Sequence, residues 1–195
     1  MTAPAWRRLG DRAVRFARPP GVGARAIVRA ARAWPGVVDV VVAMGDVAVY
    51  FDAPVATVDG ARIAGLAQLG DDGEPAREVE LRAVYDGADL DELSRELGVD
   101  VAAIHATGAY RVESMGFQPG FAYLVGLDAR IAAPRLATPR ARVPAGAIGI
   151  AGELTGVYPA ESPGGWRLIG RVVDAPMLGD AGPRLELGDR VRFVR

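Results

Sequence analysis

The chain has 195 residues, half of them hydrophobic and 24% charged, which is typical of a globular protein with one domain or two small ones. Its formal net charge of -1 argues against non-specific binding to nucleic acid or to an acidic membrane surface. All 23 basic residues are arginines and cysteine is absent, which excludes a lysine or cysteine nucleophile, a phosphate-loop lysine, disulfides and thiolate metal sites.

His105 is the single histidine, so a metal site built from several histidines is excluded, and no metal-binding residues are predicted. The first residues contain no apolar stretch of signal-peptide length, and no segment approaches the roughly 20 apolar residues that cross a bilayer. The sequence therefore predicts a cytoplasmic protein.

The first part of the chain alternates predicted strands and helices. Residues 6–9 and 12–17 predict a strand pair or one strand with a bend, and residues 21–34 predict a helix with one apolar face. Residues 37–43 and 46–51 predict two further strands joined by a tight turn.

A second helix is predicted over residues 55–69, followed by the polar segment 70–77 and a strand over residues 78–85. This order of strands and helices is that of a split βαβ sandwich of the ferredoxin-like kind. The pattern assigns residues 1–84 to a first domain.

Residues 85–195 predict a second domain of a different kind. Two short helices, over residues 89–97 and 99–106, precede many short β-prone segments separated by Gly and Pro. Frequent short strands with turn signals favour a closed barrel or a sandwich. The predicted fold class is therefore α+β, with a sandwich followed by an all-β domain.

Gly and Pro are densest between residues 115 and 170, which indicates either the many turns of a small barrel or loops that approach a ligand. Within this segment Arg135, Arg140 and Arg142 lie close together in the chain, and their guanidinium groups could converge on a carboxylate or phosphate. The alternative is a solvated loop carrying three arginines.

His105 is the one side chain whose ordinary pKa lies near neutrality, which makes it the candidate for proton transfer. At the end of a predicted helix it could equally cap the helix, where its charge would suit the helix dipole. Tyr123, Tyr158 and Trp166 could line a pocket or anchor a protein partner, although aromatic residues in short strands commonly belong to the core.

Three motifs, GFQPGFAYL at residue 116, PRLATPRARVPAGAIGIAG at residue 134 and TGVYPAESPGGWRLIGR at residue 155, occur in the order of a known family. They closely resemble the family that contains the B subunit of 5-oxoprolinase, proteins named allophanate hydrolase subunit 1, and the KipI-type inhibitor of a sporulation histidine kinase. Weaker similarity extends over most of the chain. One departure is the compact segment YDGADLDEL, residues 85–93, where many members have a longer glycine-rich loop.

The resemblance implies a ferredoxin-like domain over residues 1–84 and a cyclophilin-like β-barrel over residues 85–195. It also implies a C-type partner subunit, because such proteins are similar to one half of a fused carboxyltransferase domain of urea amidolyase. Together with an A subunit, the complex would open 5-oxoproline to glutamate with ATP and Mg2+. The alternatives within the family are regulation of a histidine kinase without catalysis, and a role as a subunit of a urea- or allophanate-related amide hydrolase or carboxyltransferase.

Opening a resonance-stabilised lactam requires activation of its carbonyl oxygen, stabilisation of phosphate oxygens and a proton shuttle. The resemblance suggests His105 and Arg140 for catalysis, with ATP bound at the level of the complex because this chain has no recognisable nucleotide loop. The Gly116–Gly120 turn would form a rim, with Phe117, Gln118 and Phe121 facing substrate or partner and Tyr123 behind them. The full predicted binding set is Gly116, Phe117, Gln118, Pro119, Gly120, Phe121, Tyr123, Arg135, Arg142, Pro144, Gly146, Tyr158, Pro163, Gly164, Gly165 and Trp166.

Overall fold

The computed structural model describes residues 5–70 and 76–195. The chain divides after residue 75 into two compact units. The first unit is a small α/β sandwich and the second contains a closed β-barrel, so the predicted α+β class is confirmed.

Four strands and two helices make up the described part of the first unit. In chain order they are β1 Trp6–Arg8, β2 Ala13–Ala17, α1 Ala24–Arg32, β3 Val37–Val42, β4 Asp46–Phe51 and α2 Gly60–Leu66. The strands form one antiparallel sheet in the order β1-β2-β4-β3. The predicted strand pair, hairpin and first helix are therefore confirmed, while α2 is shorter than the predicted helix.

The helices of this unit begin and end where their sequence signals lie. α1 buries Ala26, Ile27 and Ala31 on one face and ends ahead of Pro35. α2 begins at Asp59, whose carboxylate accepts a hydrogen bond from the backbone N–H of Ala61 at 2.8 Å. Alternate residues of β2 and β4 are buried, which gives the sheet one core face.

The second unit begins with strand β5 Glu78–Val84, helix α3 Leu90–Leu97 and helix α4 Val101–Thr107. The strands that follow are β6 Tyr110–Met115, β7 Ala122–Val125, β8 Arg140–Val143, β9 Ala147–Ala151, β10 Leu154–Val157, β11 Ser162–Gly164, β12 Arg167–Val172, β13 Leu178–Gly179, β14 Gly182–Pro183 and β15 Arg190–Val194. Six of these strands and β5 close into a seven-stranded barrel in the order β10-β7-β6-β15-β5-β12-β9. The prediction of a closed barrel is confirmed.

The predicted boundary after residue 84 is wrong, because β5 belongs to the barrel. β5 pairs in parallel with β15 over five residues and antiparallel with β12. The side chain of Arg77 reinforces this attachment through its Nε, 3.1 Å from the carboxylate of buried Asp189. The sheet of the first unit does not include β5, because β1 occupies its edge position beside β2. Local alternation predicts a strand but not its partner, and here the partner lies more than 100 residues away.

The barrel core is continuous with α3 and α4, which pack against it. Leu93 of α3 and Val101 of α4 are fully buried together with Leu81, Ile148 and Phe193. α3 ends at Gly98, whose φ of 67° lies in the left-handed region that favours glycine. Across the described ranges, no helix is long and apolar enough to span a bilayer.

Candidate functional site

Five aromatic side chains from the predicted binding set form one connected group on the barrel. We call this group the aromatic cluster, and its members are Phe117, Phe121, Tyr123, Tyr158 and Trp166. Phe121 lies at its centre, with ring centroids 5.4 Å from each of Phe117, Tyr158 and Trp166. Its ring meets those neighbours edge to face, the arrangement that aromatic quadrupoles favour.

Backbone hydrogen bonds bring the three sequence motifs together around this cluster. The N–H of Gly146 donates to the carbonyl of Tyr158 at 2.7 Å, and the N–H of Leu136 donates to the carbonyl of Gly165 at 2.7 Å. β8 and β11 pair with each other as a separate two-stranded sheet. β10 pairs with β7, with Thr155 opposite Leu124, and this places the first motif beside the other two.

Glycines allow the aromatic rings to pack closely against the backbone. A Cβ at Gly164 would lie 2.4 Å from the phenolic oxygen of Tyr158, and one at Gly149 would lie 2.9 Å from Cβ of Trp166. Both distances are shorter than side-chain packing permits. Burial raises the pKa of Tyr158, an effect that the backbone N–H of Trp166 opposes by hydrogen bonding to it. Gly149 of the second motif and Gly164 of the third motif are therefore explained by packing.

Phe117 differs from the other members of the cluster because its side chain is 61% exposed. Its φ is 70°, a left-handed backbone conformation that no other non-glycine residue adopts in the described ranges. Holding a bulky residue in this conformation costs about 1–2 kcal/mol. An exposed aromatic ring held in a strained turn is typical of a functional position, and contact of Phe117 with a substrate or partner stays a prediction.

The structure corrects the predicted orientation of Phe121. Phe121 is predicted to face a substrate or partner, but it is only 1% exposed and belongs to the core. Tyr123 is predicted to lie in the wall behind the turn, and its half-buried side chain is on β7 with its ring 5.9 Å from Trp166.

The three predicted arginines do not converge on a common point. Arg142 forms an exposed ion pair with Glu161 at 2.9 Å, and Arg140 lies beside the buried carboxylate of Asp89. Arg135 instead lies 6.0 Å from the ring centroid of Trp166, a cation–π geometry. In the part of the chain that the structure describes, Arg135 alone of the three has no ion pair, so it is the arginine available at the edge of the cluster.

Asp89 is a residue of this region that the sequence prediction missed. One of its carboxylate oxygens lies 2.5 Å from Arg140, and the other accepts a hydrogen bond from the backbone N–H of Leu168 at 2.6 Å. It precedes α3 at the N-cap position but makes no side-chain cap there. Asp followed by a helical pattern signals an N-cap, but the sequence offers no signal that its carboxylate joins β8 to β12.

His105 lies inside the barrel and does not reach the aromatic cluster surface. Thr155 donates its hydroxyl hydrogen to the carbonyl of Gly149, so it accepts from Nε2–H of His105 at 2.9 Å. Nδ1 then accepts from the hydroxyl of Tyr85 at 2.8 Å. Burial lowers the pKa of His105 to about 3. A fully buried, neutral imidazole with both nitrogens bonded does not support the predicted proton transfer, and it cannot act as the charged cap either.

The remaining predicted residues lie around the cluster. Gln118 donates from its amide to the carbonyl of Ala160 at 3.4 Å, and Gly120, with φ of 81°, packs close to Leu178. Gly116, Pro119, Pro144 and Pro163 are exposed, and Gly146 and Gly165 are half-buried. Their roles in binding stay predictions. Within residues 5–70 and 76–195, no three His, Asp or Glu side chains are placed to hold a metal ion.

Comparison with known proteins identifies relatives over nearly the whole chain. Residues 11–177 match the family described as carboxyltransferase domain, subdomain C and D. The B subunit of 5-oxoprolinase from Bacillus subtilis is 36% identical over 96% of this chain and 91% of its own length.

Solved structures agree with this relationship. TTHA0988 is 36% identical with a TM-score of 0.76 over 94% of this chain, which spans only 39% of that longer chain. The urea amidolyase of Kluyveromyces lactis has a TM-score of 0.69 at 20% identity, over 98% of this chain and 15% of the enzyme, which shows a shared fold.

Proposed function

This chain belongs to the family of carboxyltransferase subdomains C and D, and from that premise we propose that it is a subunit of an amide-hydrolysing complex. In its specific form, the proposal is an ATP-dependent 5-oxoprolinase that opens 5-oxoproline to glutamate. The chain would act with a C-type partner subunit and an A subunit. Agreement with the B subunit of the Bacillus subtilis 5-oxoprolinase over 91% of that protein supports this choice.

The observation that carries the proposal is the aromatic cluster with Phe117 exposed at its edge. Three motifs of the chain meet there, and a strained turn holds the Phe117 ring outward at a cost in conformational energy. The Phe117 ring does not need to face solvent for the core to pack or for the chain to turn at this point. A binding role for this surface accounts for both its exposure and its strain.

Arg135 gives the proposed site its cationic group. 5-Oxoproline carries a carboxylate, and the guanidinium of Arg135, which lies above the face of buried Trp166, could bind that carboxylate. Arg140 and Arg142 are already engaged by Asp89 and Glu161. We therefore assign substrate binding to Arg135 in place of the predicted catalytic role of Arg140.

ATP and its Mg2+ belong to the proposal at the level of the complex. When bound, ATP would supply the phosphoryl group that converts the lactam oxygen into a leaving group. The part of this chain in that reaction is to bind and orient the lactam and to exclude water from one side of it. Proton transfer is assigned to partner subunits, since His105 is fully buried.

The direct test is ATP-dependent release of glutamate from 5-oxoproline by the chain co-purified with its C-type and A-type partners. Turnover that requires all three chains and falls when Arg135 is replaced by alanine is the expected result. Arg142→Ala removes the same charge from a neighbouring exposed position and should leave the KM for 5-oxoproline within about twofold. A stable complex that releases no glutamate from 5-oxoproline would overturn the specific form of the proposal.

A regulatory binding protein is the second candidate function, and the exposure of Phe117 favours it as well. A single exposed aromatic ring on a rigid base is typical of an anchor at a protein interface. Under this alternative, the chain would bind a sensor kinase and inhibit its autophosphorylation. The Phe117→Ala variant is to be assayed both in the 5-oxoproline reaction and in a kinase inhibition assay. The activity that this variant loses identifies which of the two functions depends on the exposed ring.

A further inference from the structure

The first unit contains a groove that the proposed function does not use. It has a volume of about 320 Å³ and lies between the turn that follows α1, the end of β4 and the segment that leads into α2. Most of the lining residues are apolar, and they include Trp34, Phe51, Pro54, Val55 and Val58. The ring of Trp34 stacks on buried Phe16, with ring centroids 6.4 Å apart, so its position is fixed. The groove therefore has the apolar wall that is typical of small-molecule sites.

The carboxylate of Asp52 lines this groove without a partner. It forms no ion pair and accepts no hydrogen bond from the residues that the structure describes. Arg12 donates to the backbone carbonyl of Asp52 at 3.1 Å, but the carboxylate to which Arg12 lies closest is that of Asp11. A carboxylate has room for several hydrogen bonds, and this one is left with that capacity unused.

The backbone holds Asp52 at this position. Its N–H donates to the carbonyl of Gly36 at 2.9 Å, and one oxygen of its carboxylate lies 2.9 Å from the position that a Cβ on residue 36 would occupy. The φ of Gly36 is 73°, so glycine satisfies both the backbone conformation and the close approach. The carboxylate therefore packs over the backbone of the turn at the edge of the groove.

Arg62, in the first turn of α2, supplies a positive charge to the same groove. Within residues 5–70 and 76–195 its guanidinium forms no ion pair and donates no hydrogen bond. Asp59 lies three residues before it, but the Asp59 carboxylate caps α2 by accepting from the N–H of Ala61 at 2.8 Å. The groove thus has an unpaired guanidinium in addition to the unpaired carboxylate of Asp52.

These two opposite charges are not joined to each other. Elsewhere in the first unit an exposed arginine and aspartate that reach each other do pair, as Arg15 does with Asp46 at 2.7 Å. Asp52 and Arg62 form no such pair, although both line one groove, so an apolar gap separates them. A ligand that carries a positive and a negative group on an apolar body is complementary to this arrangement.

We propose that this groove binds a free α-amino acid with an apolar side chain. Asp52 accepts hydrogen bonds from the α-ammonium group, and Arg62 donates to the α-carboxylate in a charge-assisted pair. The half-exposed rings of Trp34 and Phe51 pack against the apolar side chain of the ligand. The volume lies at the lower end of the range for small-molecule sites, which suits a ligand of this size. This site is separate from the aromatic cluster, and its occupation does not depend on the proposed hydrolysis.

The test uses the full chain and isothermal titration calorimetry with L-leucine, L-leucinamide and N-acetyl-L-leucine as separate probes. L-Leucinamide retains the ammonium group but lacks the carboxylate, whereas N-acetyl-L-leucine retains the carboxylate but lacks the ammonium group. We expect saturable binding of L-leucine. Each derivative should bind at least about tenfold more weakly, since each loses one charge-assisted contact.

Two variants assign the binding to this groove. Asp52→Asn should weaken L-leucine binding about tenfold and remove the preference for L-leucine over N-acetyl-L-leucine. Arg62→Gln should weaken it by a similar factor and remove the preference over L-leucinamide. Asp39→Asn and Arg7→Gln are the matched controls, because they remove the same charges from exposed residues that do not line the groove, and they should leave the affinity within about twofold.

Far-UV circular dichroism verifies that each variant is folded. No saturable binding of L-leucine, or binding of L-leucinamide as tight as that of L-leucine, would overturn the proposal. An unchanged affinity in Asp52→Asn or Arg62→Gln would overturn it as well. Equal weakening in Asp52→Asn and Asp39→Asn would show a general effect of charge and would also contradict a site at this groove.

Discussion

The carboxylate of Asp89 and the guanidinium of Arg140, 51 residues apart in sequence, lie 2.5 Å from each other. Asp89 is almost fully buried and also binds the backbone N–H of Leu168. This ion pair fixes β8 to the start of α3 and to β12. The role of Arg140 in this structure is therefore to hold the barrel segments together.

Replacement of Arg140 by alanine should lower stability more than it affects chemistry. Removing one partner leaves the Asp89 carboxylate buried and uncompensated, which costs about 3 kcal/mol when such a pair is broken. The free energy of unfolding, measured by urea denaturation, is expected to fall by that amount. Arg142→Ala, which breaks an exposed pair, should change it by less than about 1 kcal/mol. Equal stability of the two variants would contradict the structural role of Arg140.

Acidification should destabilise the protein through His105 in a defined range of pH. Its pKa is about 3 in the folded protein but near 6.5 when unfolded, so the unfolded chain alone takes up a proton between these values. Stability from this group is full above pH 6.5 and is lost progressively as the pH falls. Between pH 7 and pH 5 we expect a loss of about 2 kcal/mol.

The measurement is the free energy of unfolding at several pH values for the native sequence and for His105→Gln. The glutamine variant has no imidazole to protonate, so its stability should be nearly constant between pH 7 and pH 5. Most carboxylates begin to titrate only below this range. An equal slope in both proteins would assign the pH dependence to other groups.

Gly164→Ala should destabilise the barrel because its new methyl group would overlap the hydroxyl of Tyr158, 2.4 Å from the ideal Cβ position. Overpacking of this kind costs about 1–3 kcal/mol. Gly116→Ala is the matched control, since nothing lies within 4 Å of that Cβ position. Thermal unfolding should separate the two variants, and adding Tyr158→Phe should restore part of the loss in Gly164→Ala.

Phe117→Gly should weaken binding while it leaves the stability of the fold nearly unchanged. Glycine adopts a φ of 70° without steric cost, so relief of strain offsets the lost edge-to-face contacts, and the melting temperature should change by only a few degrees. Binding to the C-type partner or to 5-oxoproline should weaken by at least about tenfold if the exposed ring is an anchor. Full binding by this variant would exclude Phe117 as the anchor.

Much of the fold could be predicted from the sequence because its signals are local. Alternating side chains predicted β2, a tight turn before residue 46 predicted β4, and Gly98 marked the end of α3. The position of β5 could not be predicted, since the same alternation fits either sheet. Its partner β15 begins at Arg190, and only closure of the barrel brings the two strands together.

The candidate site was predictable as a region but not in its contacts. The three motifs contain the residues of the predicted binding set, and in the structure these segments lie next to one another. The sequence could not distinguish Phe117, which is exposed, from Phe121, which is buried, because the difference depends on the backbone of one turn. The dense glycines between residues 115 and 170 indicated turns or approach to a ligand, whereas Gly149 and Gly164 in fact pack against Trp166 and Tyr158.

The sequence alone determined which nucleophiles and metal sites are excluded, the α+β class, the family and the segments that build the aromatic cluster. Only the tertiary structure decided that β5 belongs to the barrel, that Arg140 is held by Asp89, and that His105 is buried between Tyr85 and Thr155. Secondary-structure propensity, hydrophobic periodicity and turn chemistry depend on a few neighbouring residues, so they can be recognised in the sequence. Ion pairs, burial and strand partners depend on which distant segments meet when the barrel closes, and that geometry has no local signature.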